Sequence, residues 1–377
     1  MTTGNTLLER GHRAYDTEDY DTAITHYSHA LAQQPNNALL YGSRAFAFLE
    51  KQEWRSAIND FQQALRLDPG ATDAYYGLAE AAFGESGQLD DAVAVYNQII
   101  MLHPDAELAF LLRGWCSFEQ GNGEVSLADF DQALRLKPDD IDALLYRGIV
   151  LANSGTADDA LDSFNQAVRL APSSSACYVE RGTVLRDNGE LQRALADFNQ
   201  ALTLDPEHLD ALLGRAQTYA VLKNPTAALG DFNQAITLEP SNALAYRSRS
   251  DFSRAQKKYK SALADYEQAL ELDPEDVDAY LGLSSTQHEL KHDDKALDAL
   301  NQALDLDPER ADTYLARGVL RAATKDTNAA LADFEAAIAL VPEYADAYRA
   351  RGQLYQALGD RPRATLDLER ADALESE

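Results

Sequence analysis

The sequence predicts an all-α protein, an α-solenoid built from eleven antiparallel helix pairs. The first observation behind this prediction is a series of ten prolines that recur every 34 residues, with one gap of 35. The series consists of Pro35, Pro69, Pro104, Pro138, Pro172, Pro206, Pro240, Pro274, Pro308 and Pro342. Because a helix cannot easily continue through proline, each of them marks the end of one structural unit.

The second observation is a stripe of small, large and small side chains before each proline. The large residue stands eight positions before the proline and is Tyr27, Phe61, Tyr96, Phe130, Phe164, Phe198, Phe232, Tyr266, Leu300 or Phe334. A small residue stands four positions earlier, and alanine usually stands three positions later, so the three share one face of a helix. A further small residue, such as Gly148, indicates a preceding helix that approaches closely. One such pair cannot bury its apolar face alone, so the pairs must stack.

This pattern resembles the tetratricopeptide repeat family, and in particular the multi-repeat members common in bacteria. The resemblance implies a right-handed superhelix. Because no linker, low-complexity tract or charge run separates the repeats, we predict one continuous solenoid over residues 4–377. The predicted repeats are 4–37, 38–71, 72–106, 107–140, 141–174, 175–208, 209–242, 243–276, 277–310, 311–344 and 345–377. Two features depart from the family pattern. The tryptophan often found early in the first helix is replaced, for example by Tyr41, Phe110 and Leu144, and the 35-residue gap predicts one additional residue in the turn at 84–88.

Arginine and aspartate recur together in the repeats. Counted from the start of each repeat, position 7 is usually arginine and position 23 is usually aspartate. Seven repeats carry both: Arg44/Asp60, Arg113/Asp129, Arg181/Asp197, Arg215/Asp231, Arg249/Asp265, Arg317/Asp333 and Arg351/Asp367. Where Leu78 and Leu283 replace the arginine, Val95 and Ala299 replace the aspartate. The exceptions are Arg10/His26 and Arg147/Ser163. We therefore predict an ion pair between the two helices of a repeat, with two independent solvated charges as the alternative.

The composition excludes several classes of partner. The chain has 33 Lys+Arg against 62 Asp+Glu and a net charge of −29. Such a surface repels nucleic acid and anionic lipid, so we expect no nucleic-acid partner and no membrane insertion. Whether the charge selects partners or only keeps the protein soluble stays open. The N-terminus has no basic start followed by an apolar run, and Cys116 and Cys177 fit no zinc or disulfide pattern. These features predict a cytoplasmic, reducing location.

The resemblance also implies where a partner would bind. In this family the first helices line a concave groove, and positions 2, 5, 9 and 12 of each repeat face it. In the first five repeats we predict partner-binding residues at Tyr15, Phe46, Leu49, Tyr76, Leu111, Trp115, Phe118, Leu145 and Ile149. Clustered exposed aromatic side chains usually mark a binding surface. The alternative is that these residues pack between adjacent first helices. Trp54, at the start of a second helix, is predicted to belong to the core.

The eighth repeat contains the one strongly basic stretch, residues 246–260. Arg247 and Arg254 would face the groove with Asp251 between them, and three lysines would lie near the following turn. This surface could receive an acidic or phosphorylated segment. The alternative is ordinary surface lysines and arginines that pair with nearby acids of the same chain.

One motif suggests catalysis, because residues 288–292 match the H-E-x-x-H pattern of zinc proteases. That chemistry needs both histidines on one face of a continuous helix, whereas the repeat register places His292 in the turn after the helix. We predict no catalytic residue, metal or cofactor. The leading hypothesis is a non-enzymatic scaffold or adaptor that holds a protein or peptide segment in the groove. The alternatives are a regulatory or assembly-factor arm that acts on a separate enzyme or complex, and, remotely, a zinc hydrolase; self-association is also open.

Overall fold

The computed structural model describes residues 3–376 of the chain, and in this part it contains 22 α-helices and no β-strand. The helices form two compact units, which are described separately: Met1–Glu190 and Leu191–Glu377. The first unit contains α1 (Thr3–Asp16), α2 (Tyr20–Gln33), α3 (Ala38–Glu50), α4 (Trp54–Leu67), α5 (Thr72–Ser86), α6 (Leu89–Leu102), α7 (Glu107–Glu119), α8 (Gly123–Leu136), α9 (Ile141–Asn153), α10 (Ala157–Leu170) and α11 (Ser175–Asp187).

The second unit continues the same alternation of first and second helices. It contains α12 (Leu191–Leu204), α13 (Leu209–Val221), α14 (Pro225–Leu238), α15 (Ala243–Ala255), α16 (Tyr259–Leu272), α17 (Val277–Glu289), α18 (Asp293–Leu306), α19 (Ala311–Ala323), α20 (Thr327–Leu340), α21 (Ala345–Ala357) and α22 (Arg361–Ser376). The all-α solenoid of eleven helix pairs is thus confirmed. One continuous domain over residues 4–377 and its right-handed superhelical path stay predictions.

Short turns with defined geometry separate the helices. Between the two helices of a repeat one residue adopts a positive φ, and it is glycine in some repeats, such as Gly155 (φ 78°), and lysine in others, such as Lys257 (φ 58°). Between repeats, the helix ends two residues before the proline, as at Leu67 and Pro69. In the 35-residue repeat the additional residue lengthens the helix and not the turn, which corrects the prediction. The helix α5 has 15 residues and extends to Ser86, and Gly87 takes the positive φ of 68°.

Within each unit, the core lies between the helices of a pair and between successive pairs. The large residue of each stripe is deeply buried; Phe61, Phe164 and Phe198, for example, have no exposed surface. A side chain of this size stabilises the fold by about 1.5–3 kcal/mol when it is fully buried. The small residue of the first helix makes room for it, since a Cβ added to Gly148 would lie 2.6 Å from the Phe164 ring. The predicted small–large–small packing therefore explains why each first helix needs glycine, alanine or serine.

The predicted ion pair joins the helices of a repeat in six of the seven cases. In Arg113/Asp129, Nε and Nη2 donate to Oδ2 and Oδ1 at 2.8 and 2.6 Å, a bidentate geometry. The same contact joins Arg44/Asp60, Arg215/Asp231, Arg249/Asp265, Arg317/Asp333 and Arg351/Asp367. The remaining pair, Arg181/Asp197, has its residues in different units and stays a prediction. The aspartates are largely buried, so losing one partner would leave a poorly solvated charge.

Five of these six arginines donate to a further partner in the preceding repeat, which the sequence analysis missed. The partner is asparagine in four cases and Ser28 for Arg44. Nη1 of Arg113 donates to Oδ1 of Asn97, in the second helix of the preceding repeat, at 2.6 Å. The same bond joins Arg215 to Asn199 and Arg317 to Asn301. The arginine therefore links three helices and holds neighbouring repeats together. We call this three-helix contact of arginine, aspartate and asparagine the arginine clamp.

The exceptions follow the same logic. Arg147 has serine at position 23 and pairs instead with Asp131 of the preceding repeat, whose Oδ1 lies 2.7 Å from Nε. Where Leu78 replaces the arginine, the preceding repeat carries Gln62 rather than asparagine. Where Leu283 replaces it, the preceding repeat carries Glu267. All three members of the clamp are therefore exchanged together.

Candidate functional site

The first helices of the Met1–Glu190 unit form the surface on which the groove residues were predicted. Neighbouring first helices touch one another, as α3 touches α5 and α7 touches α9. Phe46, Tyr76 and Trp115 come from three successive first helices and pack, half-buried, against one hydrophobic cluster. We call this surface, with the residues around them at repeat positions 2, 5, 9 and 12, the first-helix face.

The other predicted apolar residues lie at varying depth. Leu49 and Leu111 are only 6% and 7% exposed, so they belong to the core and offer a partner little surface. This corrects the expectation that they face a ligand, because neighbouring helices cover them. Tyr15, Phe118, Leu145 and Ile149 are half-buried. Part of each of these side chains therefore packs between helices, as the alternative predicted, and the rest is accessible to a partner. Trp54 also packs against the cluster that Phe46 contacts, as its core assignment predicted.

A cavity of about 470 Å³ opens on the first-helix face between α3 and α5. Its walls include Leu39, Gly42 and Phe46 on one side and Thr72 and Asp73 on the other. Leu39 is 60% exposed, and a Cβ added to Gly42 would meet nothing within 4 Å. Sequence reasoning missed this cavity. The available signal was leucine at position 2, where six repeats carry aspartate, together with glycine at position 5.

Two carboxylates lie farther along α3 and α5, beyond the residues that line this cavity. Glu50 lies one helical turn beyond Phe46 on α3, and Glu80 lies one turn beyond Tyr76 on α5. In the described residues 3–376, neither forms an ion pair; Glu50 accepts a hydrogen bond from the Tyr15 hydroxyl at 3.1 Å. Partial burial, and then the negative charge of Glu50, raise the pKa of Glu80. Burial and the same carboxylate raise the pKa of Tyr15 to about 12. This part of the face therefore carries uncompensated negative charge.

A larger cavity, of about 580 Å³, lies elsewhere in this unit and is lined by residues of α4, α5 and α6. Leu78 and Val95, which replace the arginine and aspartate of the clamp, line it together with Gln62. The cavity thus coincides with the missing clamp of the third repeat. None of the predicted groove residues contributes to it, so we treat it as a packing feature.

In the eighth repeat, the structure places the predicted basic residues in contact with acids of the same unit. Arg247 lies 2.9 Å from both Asp276 and Asp278 of the next repeat. Arg310 pairs with the same Asp278. Burial alone would raise the pKa of Asp278, but Arg310 and Arg247 outweigh it and lower the pKa. The alternative of intramolecular pairing therefore describes Arg247.

The remaining two residues of the predicted site in this repeat also contact each other. Nη2 of Arg254 lies 3.5 Å from Oδ1 of Asp251, and the buried hydroxyl of Tyr266 donates to the same Oδ1 at 2.5 Å. Burial, and then Asp251, raise the pKa of this tyrosine. Lys257 and Lys258 lie in the turn before α16, as predicted. The arginines are therefore neutralised internally, while the lysines of the turn stay exposed.

The zinc-protease motif does not form its required geometry. The helix α17 ends at Glu289, and His292 is the N-cap residue of α18, so the two histidines lie on different helices. Nδ1 of His288 lies 2.7 Å from an Asp293 oxygen, and Nδ1 of His292 lies 2.8 Å from the Gln287 side-chain oxygen. The part of the chain that the structure describes contains no cluster of three or more His, Cys, Asp or Glu residues suited to a metal ion.

Comparison with known proteins decides the family. Models described as tetratricopeptide repeat match residues 43–107, 82–140, 111–175, 179–243 and 253–318. This chain belongs to the tetratricopeptide repeat family. Its repeats are similar to the yeast Tom70 crystal structure, with a TM-score of 0.55 and 14% identity over 99% of this chain and 96% of that one. At this identity the likeness concerns the fold alone. Within residues 3–376, no helix has the length and apolar character that crossing a membrane requires.

Curated relatives match shorter segments of this tetratricopeptide repeat protein. The small glutamine-rich tetratricopeptide repeat-containing protein 2 of Mycosarcoma maydis is 34% identical over 102 residues, which are 27% of this chain and 29% of that protein. Serine/threonine-protein phosphatase 5 of Rattus norvegicus is 29% identical over 103 residues, which are 27% of this chain and 20% of the phosphatase. The chain therefore spans less than a third of each of these relatives.

Proposed function

We propose that this protein is a non-enzymatic interaction scaffold that holds a partner segment on the first-helix face of the Met1–Glu190 unit. The observation that carries the proposal is the cluster of Phe46, Tyr76 and Trp115, each half-buried and partly accessible. Phe46 also lines an open cavity. Large aromatic side chains with a fixed base and an accessible edge are the residues that dominate protein interfaces. Tyr15, Phe118, Leu145 and Ile149 extend this surface along the unit.

The charges of the two units support the choice of this surface. In the eighth repeat Arg247, Asp251 and Arg254 form ion pairs with one another or with nearby groups, so a ligand would have to break existing ion pairs to bind them. At the corresponding positions the second repeat carries Gly42, Phe46 and Leu49. In the third repeat Glu80 stands where the eighth repeat has Asp251, and in the described residues 3–376 it forms no ion pair. A partner therefore gains contacts at the first surface without losing internal ones. The eighth repeat is a second candidate binding surface, for an acidic segment, because the lysines of its turn are exposed.

The alternative is an arm that regulates or helps to assemble a separate enzyme. The rat phosphatase supports this alternative, because it is named as an enzyme and a segment of it is similar to this chain. The match covers 20% of the phosphatase, so most of that protein lies outside it. A partner with its own catalytic activity, altered on binding, would favour this alternative over a passive scaffold. Self-association through the same face is a further possibility that the test below distinguishes.

A cytoplasmic location in a reducing compartment is also part of the proposal. Cys116 and Cys177 are both buried and unpaired thiols. Burial raises the pKa of the Cys116 thiol to about 11, which keeps it in the less reactive protonated form. Both observations suit a chain that is not stabilised by disulfides.

Quantitative affinity capture from native lysate tests the proposal. The bait proteins are the intact chain, the variant Trp115→Ala, and a surface control, Asp105→Asn/Asp162→Asn, in which two exposed acids away from the face are neutralised. We expect one dominant partner that the intact chain and the control retain, and at least about tenfold less of it on the tryptophan variant. Circular dichroism verifies that all three are folded. Equal retention by all three would contradict the proposed surface, and light scattering of the purified protein would reveal a second copy as the partner.

A further inference from the structure

We propose that the segment bound on the first-helix face carries an apolar side chain next to a lysine or arginine. The apolar side chain enters the cavity formed by Leu39, Gly42 and Phe46, and the cation lies between the carboxylates of Glu50 and Glu80. The inference rests on the proposed function and adds to it the chemistry of the partner.

The apolar half of the site is a cavity that the chain leaves open. Gly42 stands where several other repeats carry leucine, and the space beside it is free. Leu39 keeps 60% of its surface exposed, so a ligand that covers it removes apolar area from water. An aliphatic or aromatic side chain of a ligand would cover Leu39 and contact Phe46. The cavity volume of about 470 Å³ admits one such side chain with part of its backbone.

The charged half of the site follows from the same two helices. Phe46 and Glu50 are four residues apart on α3, and Tyr76 and Glu80 are four residues apart on α5, so both carboxylates lie just beyond the aromatic residues. Asp73, at the rim of the cavity, adds a third carboxylate. In the described residues, none of these three forms an ion pair. Like charges on adjacent helices repel, and a ligand cation would relieve that repulsion.

Charge complementarity therefore selects the occupant. A basic and apolar segment is attracted by the local carboxylates and by the net charge of −29, whereas an acidic segment is repelled by both. The apolar cavity on the same two helices as the carboxylates favours a peptide over a simple polyamine, because a polyamine would leave Leu39 uncovered. The site thus recognises two features of a ligand, its apolar residue and its adjacent cation.

Selection from a displayed library of random 12-residue peptides on the full chain provides the test. Four proteins are compared: the wild type, Gly42→Leu, Glu50→Gln/Glu80→Gln, and the control Asp105→Asn/Asp162→Asn. Gly42→Leu places a side chain at the cavity. An added Cβ at this position meets nothing within 4 Å, and leucine suits a helix better than glycine. Glutamine keeps an oxygen that can accept the Tyr15 hydrogen bond, so the folded state is preserved in both variants.

We expect the wild type and the control to enrich peptides with lysine or arginine beside an apolar residue. The best peptide, synthesised with a fluorophore, should bind Gly42→Leu at least about tenfold more weakly. It should bind the double glutamine variant about fivefold more weakly, with a weaker dependence on salt.

Two contrary results are distinguishable. Peptides that are neutral or acidic, yet lose affinity for Gly42→Leu, would overturn the partner chemistry and leave the binding surface standing. Peptides whose affinity is the same for all four proteins, or no enriched peptide at all, would overturn the proposed surface together with this inference.

Discussion

The first-helix face of the second and third repeats differs from that of the eighth in how its charges are used. At repeat positions 5 and 9 the second repeat carries Gly42 and Phe46, while the eighth carries Arg247 and Asp251. The eighth repeat appears in the sequence as the basic site of an acidic protein. In the structure its arginines are paired with acids of the same unit, whereas Glu50 and Glu80 form no ion pair within the described residues 3–376. A cluster of arginines in the sequence therefore does not by itself indicate an anion-binding surface, because acidic residues about one repeat away can neutralise it.

The largest expected effect concerns charges that are paired and buried. Asp231→Ala removes the carboxylate that Arg215 contacts through two nitrogens, and should lower the free energy of unfolding by about 2–3 kcal/mol. The double change Arg215→Leu/Asp231→Val copies the natural Leu78 and Val95 combination. It should recover all but about 1 kcal/mol, because no buried charge is left unpaired.

Urea denaturation of the full chain, followed by circular dichroism, measures both variants together with Arg215→Leu alone. A double-mutant cycle in which the two single losses simply add would show that the residues do not interact. The arginine clamp would then be a set of independent contacts.

A second, smaller effect would come from releasing the paired arginines of the eighth repeat. Asp276→Asn/Asp278→Asn removes both acids beside Arg247, and asparagine can still cap α17 in place of Asp276. We expect this variant to bind a fluorescent penta-glutamate peptide at least about fivefold more tightly than the wild type does at low salt. The first-helix face of the other unit should keep its affinity for basic peptides. If the variant gains no affinity, internal pairing is not what keeps this surface from binding anions.

The smallest effect concerns the unpaired carboxylates. The pKa of Glu80 is raised above its ordinary value in the folded state, so folding favours the protonated form and this group destabilises the protein at neutral pH. Glu80→Gln should therefore be more stable than the wild type at pH 7, by less than about 1 kcal/mol because solvent screens the group. The difference should shrink as the pH falls toward the ordinary range of a glutamate.

Thermal unfolding of the wild type and Glu80→Gln between pH 4.5 and 7.5 measures this difference, with Asp162→Asn as the control for loss of an exposed acid. A wild type that is more stable than Glu80→Gln at pH 7 would mean that the carboxylate has a stabilising partner within the chain.

The sequence predicted the helix pairs and the bidentate ion pairs because both repeat with the same period. Proline spacing located the ends of the repeats, and the joint exchange of Arg and Asp for Leu and Val indicated a contact within a repeat. The bond from Arg113 to Asn97 was missed, because it joins different repeats and becomes visible only when the stacking is known. The asparagines do track the arginines of the following repeat, so the signal existed.

The candidate site was predicted less completely than the fold. Phe46, Tyr76 and Trp115 were predicted because they are aromatic residues at groove positions; the structure packs them against one cluster, and their role in binding stays a proposal. The cavity at Gly42 was not found, since a missing side chain leaves no positive mark in a pattern, and the core position of Leu49 and Leu111 depends on how closely neighbouring helices approach. The sequence left open whether Arg247 pairs within the chain, because its partner Asp278 lies 31 residues away.

Hydrogen exchange of the full chain, with and without the captured partner, tests most directly the claim that the first-helix face binds. We predict that protection increases in Ala38–Glu50, Thr72–Ser86 and Glu107–Glu119, the helices that carry Phe46, Tyr76 and Trp115. Protection confined to the second helices of the Met1–Glu190 unit, or to the Leu191–Glu377 unit, would contradict the account.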